Sequence, residues 1–181
     1  DRLALSFLIQ MDADAHIQHS EIVLSVVKIA QQISYQEANE RLDGEGMLSS
    51  LYRLSLKLRE QRLEQGAIIL PVPEMRVWVN PEGMIQVSRY ERESSSQIIV
   101  SELMILVNAL AAKWLAERTI PGIFRAQDEC RAESNPVASE YELFHIYRRR
   151  RLFARAELGT EPRPHCSLGV PQYTSVSSPI R

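Results

Sequence analysis

The sequence predicts an α+β fold in which antiparallel hairpins pack with helices, and three observations carry that reading. Near the start, Leu3, Leu5, Phe7 and Ile9 alternate with Arg2, Ala4, Ser6 and Leu8, the period of a strand. Further on, two stretches repeat apolar residues at spacings of three and four, the period of a helix with one buried face. Between them lies a second strand pair, joined by Asn80-Pro81-Glu82-Gly83 as a turn.

Each element follows in order. The first strand turns at Met11-Asp12-Ala13-Asp14-Ala15-His16, where Asp side chains can hold a turn, and returns through the β-branched run from Ile17 to Ile29. Ser34 and Glu37 stand at the spacing of a capping box. They open a short helix from Tyr35 to Leu42 that stops near Asp43-Gly44. Leu48, Leu51, Leu54 or Ser55, Leu58 and Arg62 then mark a helix from Gly46 to Gln65, with Gly66 as its stop. Ala67 to Pro73 and Met75 to Asn80 read as short strands, and Met84 to Tyr90 pairs back on the latter.

The longest helix is expected from Ser96 to Arg118, with Ile99, Leu103, Leu106, Val107, Leu110, Trp114 and Leu115 as its apolar stripe. Pro121-Gly122 breaks it. Ala138 to Arg155 reads as another helix, on which Arg148, Arg151 and Arg155 would share a face. From Ala156 onward Gly and Pro recur, and the tail reads as loops.

Composition narrows the function classes. The chain has 181 residues, 45% of them hydrophobic and 24% charged, as in a globular chain with a core. Its net charge of −2 excludes a global basic footprint, so any nucleic-acid contact rests on a local patch. The run Arg148-Arg149-Arg150-Arg151 is such a patch. It could track an RNA backbone, or form a solvated face paired with Glu140, Glu142 and Glu157. Cys130 and Cys166 make no CxxC pair and no disulfide framework, so a reducing cytoplasm is the expected compartment. His16 and His19 share a segment, but no Cys or carboxylate set completes a metal site with them. The longest uncharged apolar stretch, Leu103 to Ala112, is short of the roughly 20 residues that span a bilayer, and no membrane partner is expected.

Two features are odd for a scaffold. Glu102 sits one helical turn from both Ile98 and Leu106 on a mostly apolar helix. A carboxylate there needs a partner, either an ion pair at the helix margin or a functional contact. The Pro-rich tail is the other, because loops held on a rigid scaffold are where function concentrates.

The tail carries a resemblance. Ala156-Glu157, Thr160-Glu161-Pro162, Pro164-His165, Leu168-Gly169, Tyr173 and Ser178-Pro179-Ile180-Arg181 resemble, in order and spacing, the signature of the RNB exoribonucleases, the family of ribonuclease II and ribonuclease R. Earlier segments agree in the same order. Ile33-Ser34-Tyr35-Gln36-Glu37-Ala38-Asn39 is similar to the family's Leu-Ser-Tyr-Glu-Glu-Ala-Asn. Leu58 to Ile68 is similar to its Leu-Arg-x-x-Arg-x-x-x-Gly-Ala-Ile, and Ile99 to Asn108 to its Leu-Val-Glu-Glu-Phe-Met-Ile-Leu-Ala-Asn.

The resemblance implies an RNB-type catalytic domain, of which residues 1–181 are the C-terminal portion, cut at both ends. It implies a processive, hydrolytic 3′-to-5′ exoribonuclease that degrades single-stranded RNA to nucleoside 5′-monophosphates with Mg²⁺. The family's magnesium-holding aspartates are expected upstream of Asp1, so no metal ligand is assigned here and the fragment alone is expected to be inactive. Arg181 takes the catalytic role of a guanidinium fork on the scissile phosphate. Tyr173, Ser177, Ser178, Ser101 and Glu102 are implied RNA-binding positions.

The departures are specific. The family's His-Phe-Thr-Ser reads Ser175-Val176-Ser177-Ser178, and its paired glutamates read Ser101-Glu102, which loses the one associated with the 3′-terminal nucleotide. Ile69 stands where the family places an aromatic that stacks on the last base. Stacking is worth about 1–3 kcal/mol per base, so an altered grip on the 3′ end is expected. These changes also keep open an RNB-like binding module without cleavage.

Overall fold

The computed structural model describes residues 1–42, 44, 46–69, 74–90, 93–128, 130 and 142–176. The first hairpin pairs β1 (Arg2–Met11) with β2 (Ile17–Val27) in antiparallel register, Leu5 opposite Leu24 and Phe7 opposite Ile22. Its turn is built as the sequence predicts: the Asp12 carboxylate accepts from the backbone N–H of Asp14 and of His16, both at 2.9 Å. The second hairpin joins β3 (Glu74–Val79) and β4 (Ile85–Tyr90). There Asn80 accepts from the Met84 N–H at 2.8 Å, and Gly83 takes φ 80°, which the turn needs and Gly adopts freely.

Three helices form the centre. The capping box at Ser34 and Glu37 is present and starts α1 (Tyr35–Glu40). Gly46 is the N-cap of α2 (Met47–Glu64), and α3 (Ser95–Glu117) packs on both α1 and α2. Among the described residues the three helices bury the apolar Ala38, Leu58, Ile98, Ile99, Ala111 and Ala112. Asn39 caps α3 from outside, its Oδ1 accepting from Ser96 N–H at 2.9 Å. That contact joins the short capped helix to the longest one. By length and composition α3 is long and apolar enough to cross a membrane. Here it lies against α1 and α2 and carries buried polar side chains with partners.

Four expectations are corrected. Ala67 to Ile69 form no strand, and residues 70–73 lie outside the described residues. The backbone is used otherwise: Ala67 N–H donates to Arg62 O and Ile68 N–H to Ser167 O. The basic helix, α4 (Glu142–Arg151), stops before Arg155, so Arg155 does not continue its face. Phe153 forms a bridge with Cys130, and Ala154 O accepts from the Gln127 side chain, which draws the chain out of the helix.

The tail is not all loop either. β5 (Phe124–Ala126) pairs with β6 (Glu157–Gly159), both too short to show a period. Finally, Cys130 and Cys166 form a disulfide with a Cα–Cα distance of 5.8 Å. Backbone bonds from Gln127 N–H to Pro164 O and from Cys166 N–H to Gln127 O bring the two segments together, and residues 36 apart in sequence give no sign of it.

Candidate functional site

The polar side chains buried in this molecule collect around α3 and the segment from His165 to Val176. Glu102 is 3% exposed. Arg62, from the last turn of α2, grips it with a fork: Nε donates to Oε2 at 2.8 Å and Nη2 to Oε1 at 2.6 Å. The third arm, Nη1, donates to Leu168 O at 2.7 Å. Of the two readings open for Glu102, the structure shows the ion pair. Both carboxylate oxygens accept from Arg62. Ser101, beside it, is exposed and its hydroxyl donates to Ile98 O of its own helix at 3.1 Å.

Leu168 ends a short 3-10 turn (Cys166–Leu168), and Gly169 follows at φ 63°. A Cβ on Gly169 would come within 2.5 Å of Arg62 O, so the turn can seat on the end of α2 only as glycine. Beyond it, Asn108 of α3 is 1% exposed and bonds the tail segment. Its Nδ2 donates to the Tyr173 hydroxyl at 2.8 Å, and its Oδ1 accepts from Val176 N–H at 3.0 Å. Thr174 Oγ1 donates to Ile123 O at 2.6 Å, and Arg125 N–H donates to Tyr173 O at 2.8 Å, which ties the same stretch to β5.

His165 is buried, 5% exposed, with its ring edge-on to Tyr173 at 5.7 Å between centroids. Burial, with the Arg125 guanidinium adding to it, pushes its pKa down from 6.5 to about 4, so it is neutral at pH 7. A neutral imidazole suits its place against an aromatic ring and the Ser167 hydroxyl, 3.5 Å from Nδ1.

Of the residues the resemblance implies, Glu102 and Tyr173 are brought into this one network, Ser101 stands beside it, and Ile69 is half-buried next to Ile68, whose N–H donates to Ser167 O. Ser177, Ser178 and Arg181 lie outside the described residues. Arg62 and Asn108 are the site residues that sequence reasoning passed over. Both were already inside quoted motifs, at the second Arg and the last Asn, but their partners lie 40 and 65 residues away. On α4, Arg148, Arg150 and Arg151 are exposed. Glu157, weighed as a partner for that run, instead pairs with Arg163 at 2.8 Å, as does Asp128. Glu140 lies outside the described residues. Among the described residues no three His, Cys, Asp or Glu side chains gather as they would around a metal ion.

Small antiparallel sheets around a helical centre make a fold shared with solved ribonuclease R. Ribonuclease R of Mycoplasma genitalium, solved with ribose-methylated single-stranded RNA, superposes with a TM-score of 0.83 at 17% identity, over 99% of this chain and 35% of that one. A yeast pseudonuclease shares the fold at a TM-score of 0.68 and 14% identity, over 95% of this chain and 26% of that one. The RNB domain model matches residues 1–181, and the chain belongs to the RNB family. An uncharacterised ribonuclease of Synechocystis is 31% identical over 99% of this chain. Chloroplast and mitochondrial ribonuclease II of Arabidopsis thaliana is 25% identical over 98% of it. The chain spans 28% and 23% of the lengths of those two relatives.

Proposed function

We propose that the protein is a hydrolytic 3′-to-5′ exoribonuclease that degrades single-stranded RNA processively to nucleoside 5′-monophosphates. One observation carries the reading beyond family membership. Arg62, Glu102 and Asn108, from two motif segments, bond each other or the tail motif at Leu168 and Tyr173, in the stretch that precedes Ser178-Pro179-Ile180-Arg181 in the sequence. A fold that places so many buried polar bonds behind one stretch of chain is suited to presenting its end. The complex of Mycoplasma genitalium ribonuclease R with ribose-methylated single-stranded RNA supports RNA as the substrate class.

In this reading Arg181 contacts the scissile phosphate, where a planar guanidinium can bind two phosphoryl oxygens at once and stabilise developing charge. Pro179 fixes the local φ before it, and Ser178 can bond the backbone. Magnesium would position the attacking water and share the charge compensation. The described carboxylates do not gather to hold it, so its ligands are proposed to lie in another part of the protein.

The second reading, an RNB-like RNA-binding module without cleavage, is favoured by a specific pair of facts. The same fold serves a yeast pseudonuclease, and Ser101, Ile69 and Ser175 depart from the family pattern at nucleotide-holding positions.

Release of mononucleotides from 5′-labelled single-stranded RNA by the full-length protein, with and without Mg²⁺, separates the two. The exoribonuclease reading expects stepwise shortening from the 3′ end, and a loss of about 10²–10³ in rate for Arg181→Ala with RNA affinity changed less than about tenfold. Binding without shortening would give the module reading. Residues 1–181 alone are expected to release no mononucleotides.

A further inference from the structure

We infer that α3 is a two-point clamp on the segment leading to Arg181, and that Asn108 and Arg62 are positioning residues for cleavage; the inference rests on the exoribonuclease reading above. Glu102 and Asn108 are both buried on one helix, about 9 Å apart along its axis at 1.5 Å per residue. Buried polar groups on a core-facing helix persist only with partners. Here both lead to the same piece of chain, Glu102 through Arg62 and Asn108 directly. Glu102 orients the Arg62 fork, and the remaining arm of that fork holds Leu168 O. Asn108 bonds the Tyr173 hydroxyl and the Val176 backbone directly.

The two attachment points bracket the segment and differ in kind. At Leu168 the hold is charge-assisted and is reinforced by Gly169, whose missing Cβ lets the turn press on the end of α2. At Val176 the hold is a neutral amide that donates with one end and accepts with the other, so it fixes a side chain and the backbone together. Val176 is five residues before Arg181 in the sequence.

The consequence is for turnover rather than binding. RNA affinity is spread over many phosphate and stacking contacts, so one slack segment changes it little. Aligning a single guanidinium with a scissile phosphate is a local demand, and a misplacement of about 1 Å can cost about 10²-fold in rate.

The test uses the full-length protein with Asn108→Ala, Tyr173→Phe and Arg62→Lys. Single-turnover mononucleotide release, RNA affinity, thermal midpoint and backbone hydrogen exchange across residues 168–176 are measured for each. Lysine keeps a cation for Glu102 but cannot reach Leu168 O with the same planar fork, so it separates charge balance from the clamp. We expect release to slow about tenfold or more in each variant, RNA Kd to stay within about threefold, and exchange across 168–176 to quicken. Asn108→Ala with Tyr173→Phe should lose little more than Asn108→Ala alone, since the bond that Tyr173→Phe removes is one that Asn108→Ala already cuts.

Wild-type release rates with wild-type exchange would overturn the clamp. So would rate losses no larger than the loss of folded protein, or affinity losses as large as the rate losses, which would make these residues RNA contacts. If the wild-type protein releases no mononucleotides, the exoribonuclease reading fails and exchange alone decides. Unchanged protection across 168–176 in the variants then refutes the clamp, and lost protection retains it as the device that holds this segment.

Discussion

The α3 network and the first hairpin invert the usual rule of protein interiors. Around α3 the buried side chains include, beside Ile98, Ile99, Ala111 and Ala112, the polar Glu102, Asn108, Ser96, Gln97, His165 and Thr174. On the hairpin Leu3 is 90% exposed and Leu24 89% exposed, with Leu5, Leu8 and Val26 also exposed. Between the two lies an apolar groove of about 860 Å³, walled by Leu5, Phe7 and Leu24 on one side and Val107, Trp114 and Leu115 on the other. Burial without polarity is cheap and unspecific, and a buried polar group tolerates few arrangements. The polar region therefore fixes where the tail goes, and the apolar hairpin contributes area with little geometry.

The largest expected break in that contrast is at Glu102. Glu102→Ala leaves the Arg62 guanidinium buried without its carboxylate, and loss of one partner from such a pair costs about 3–5 kcal/mol. Urea unfolding should show the unfolding free energy fall by that amount; a change below about 1 kcal/mol would mean that the pair is not what holds α2 to α3.

A smaller effect is expected at His165. Its folded pKa of about 4 lies below its ordinary 6.5, so between those values the unfolded chain binds a proton that the native one refuses. Stability should be full above pH 6.5, decline as pH falls through that window, and lose no more to this group below about 4; the total is at most about 3 kcal/mol. Comparing thermal midpoints from pH 7 to pH 4 for wild type and His165→Gln would show it, and equal slopes would remove His165 from the account.

The smallest effect belongs to the hairpin. Leu24→Ser should change stability by no more than about 0.5 kcal/mol, because an exposed leucine has little burial to lose. A loss of several times that size would show that Leu24 is covered in the protein under assay, and the contrast would then end at the hairpin's surface.

The sequence was legible where structure is local. Alternation at Leu3 to Ile9, the Ser34–Glu37 box, and the Gly46 and Gly66 ends of α2 all depend on residues within one turn or one strand. The family was legible too, because its motifs keep their order. What stayed hidden was which motif touches which. Nothing in the pattern around Glu102 points to Arg62, and nothing around Asn108 points to Tyr173, because those contacts form only when three segments pack. The strand pair of β5 and β6 escaped for a different reason: three residues cannot display a period. The basic run on α4 was visible, but its extent was overread, since nothing local at Arg151 shows that Phe153 and Ala154 are drawn to Cys130 and Gln127.

The Cys130–Cys166 bond has a consequence for how the molecule comes apart. It encloses α4 and β6 within a covalent ring. A protease that cuts one peptide bond anywhere inside that ring releases nothing: the amino-terminal piece, with α2 and α3, stays bound through sulfur to the piece that carries Tyr173 and Arg181. On a denaturing gel the nicked protein would run as one species until a thiol is added, and then as two.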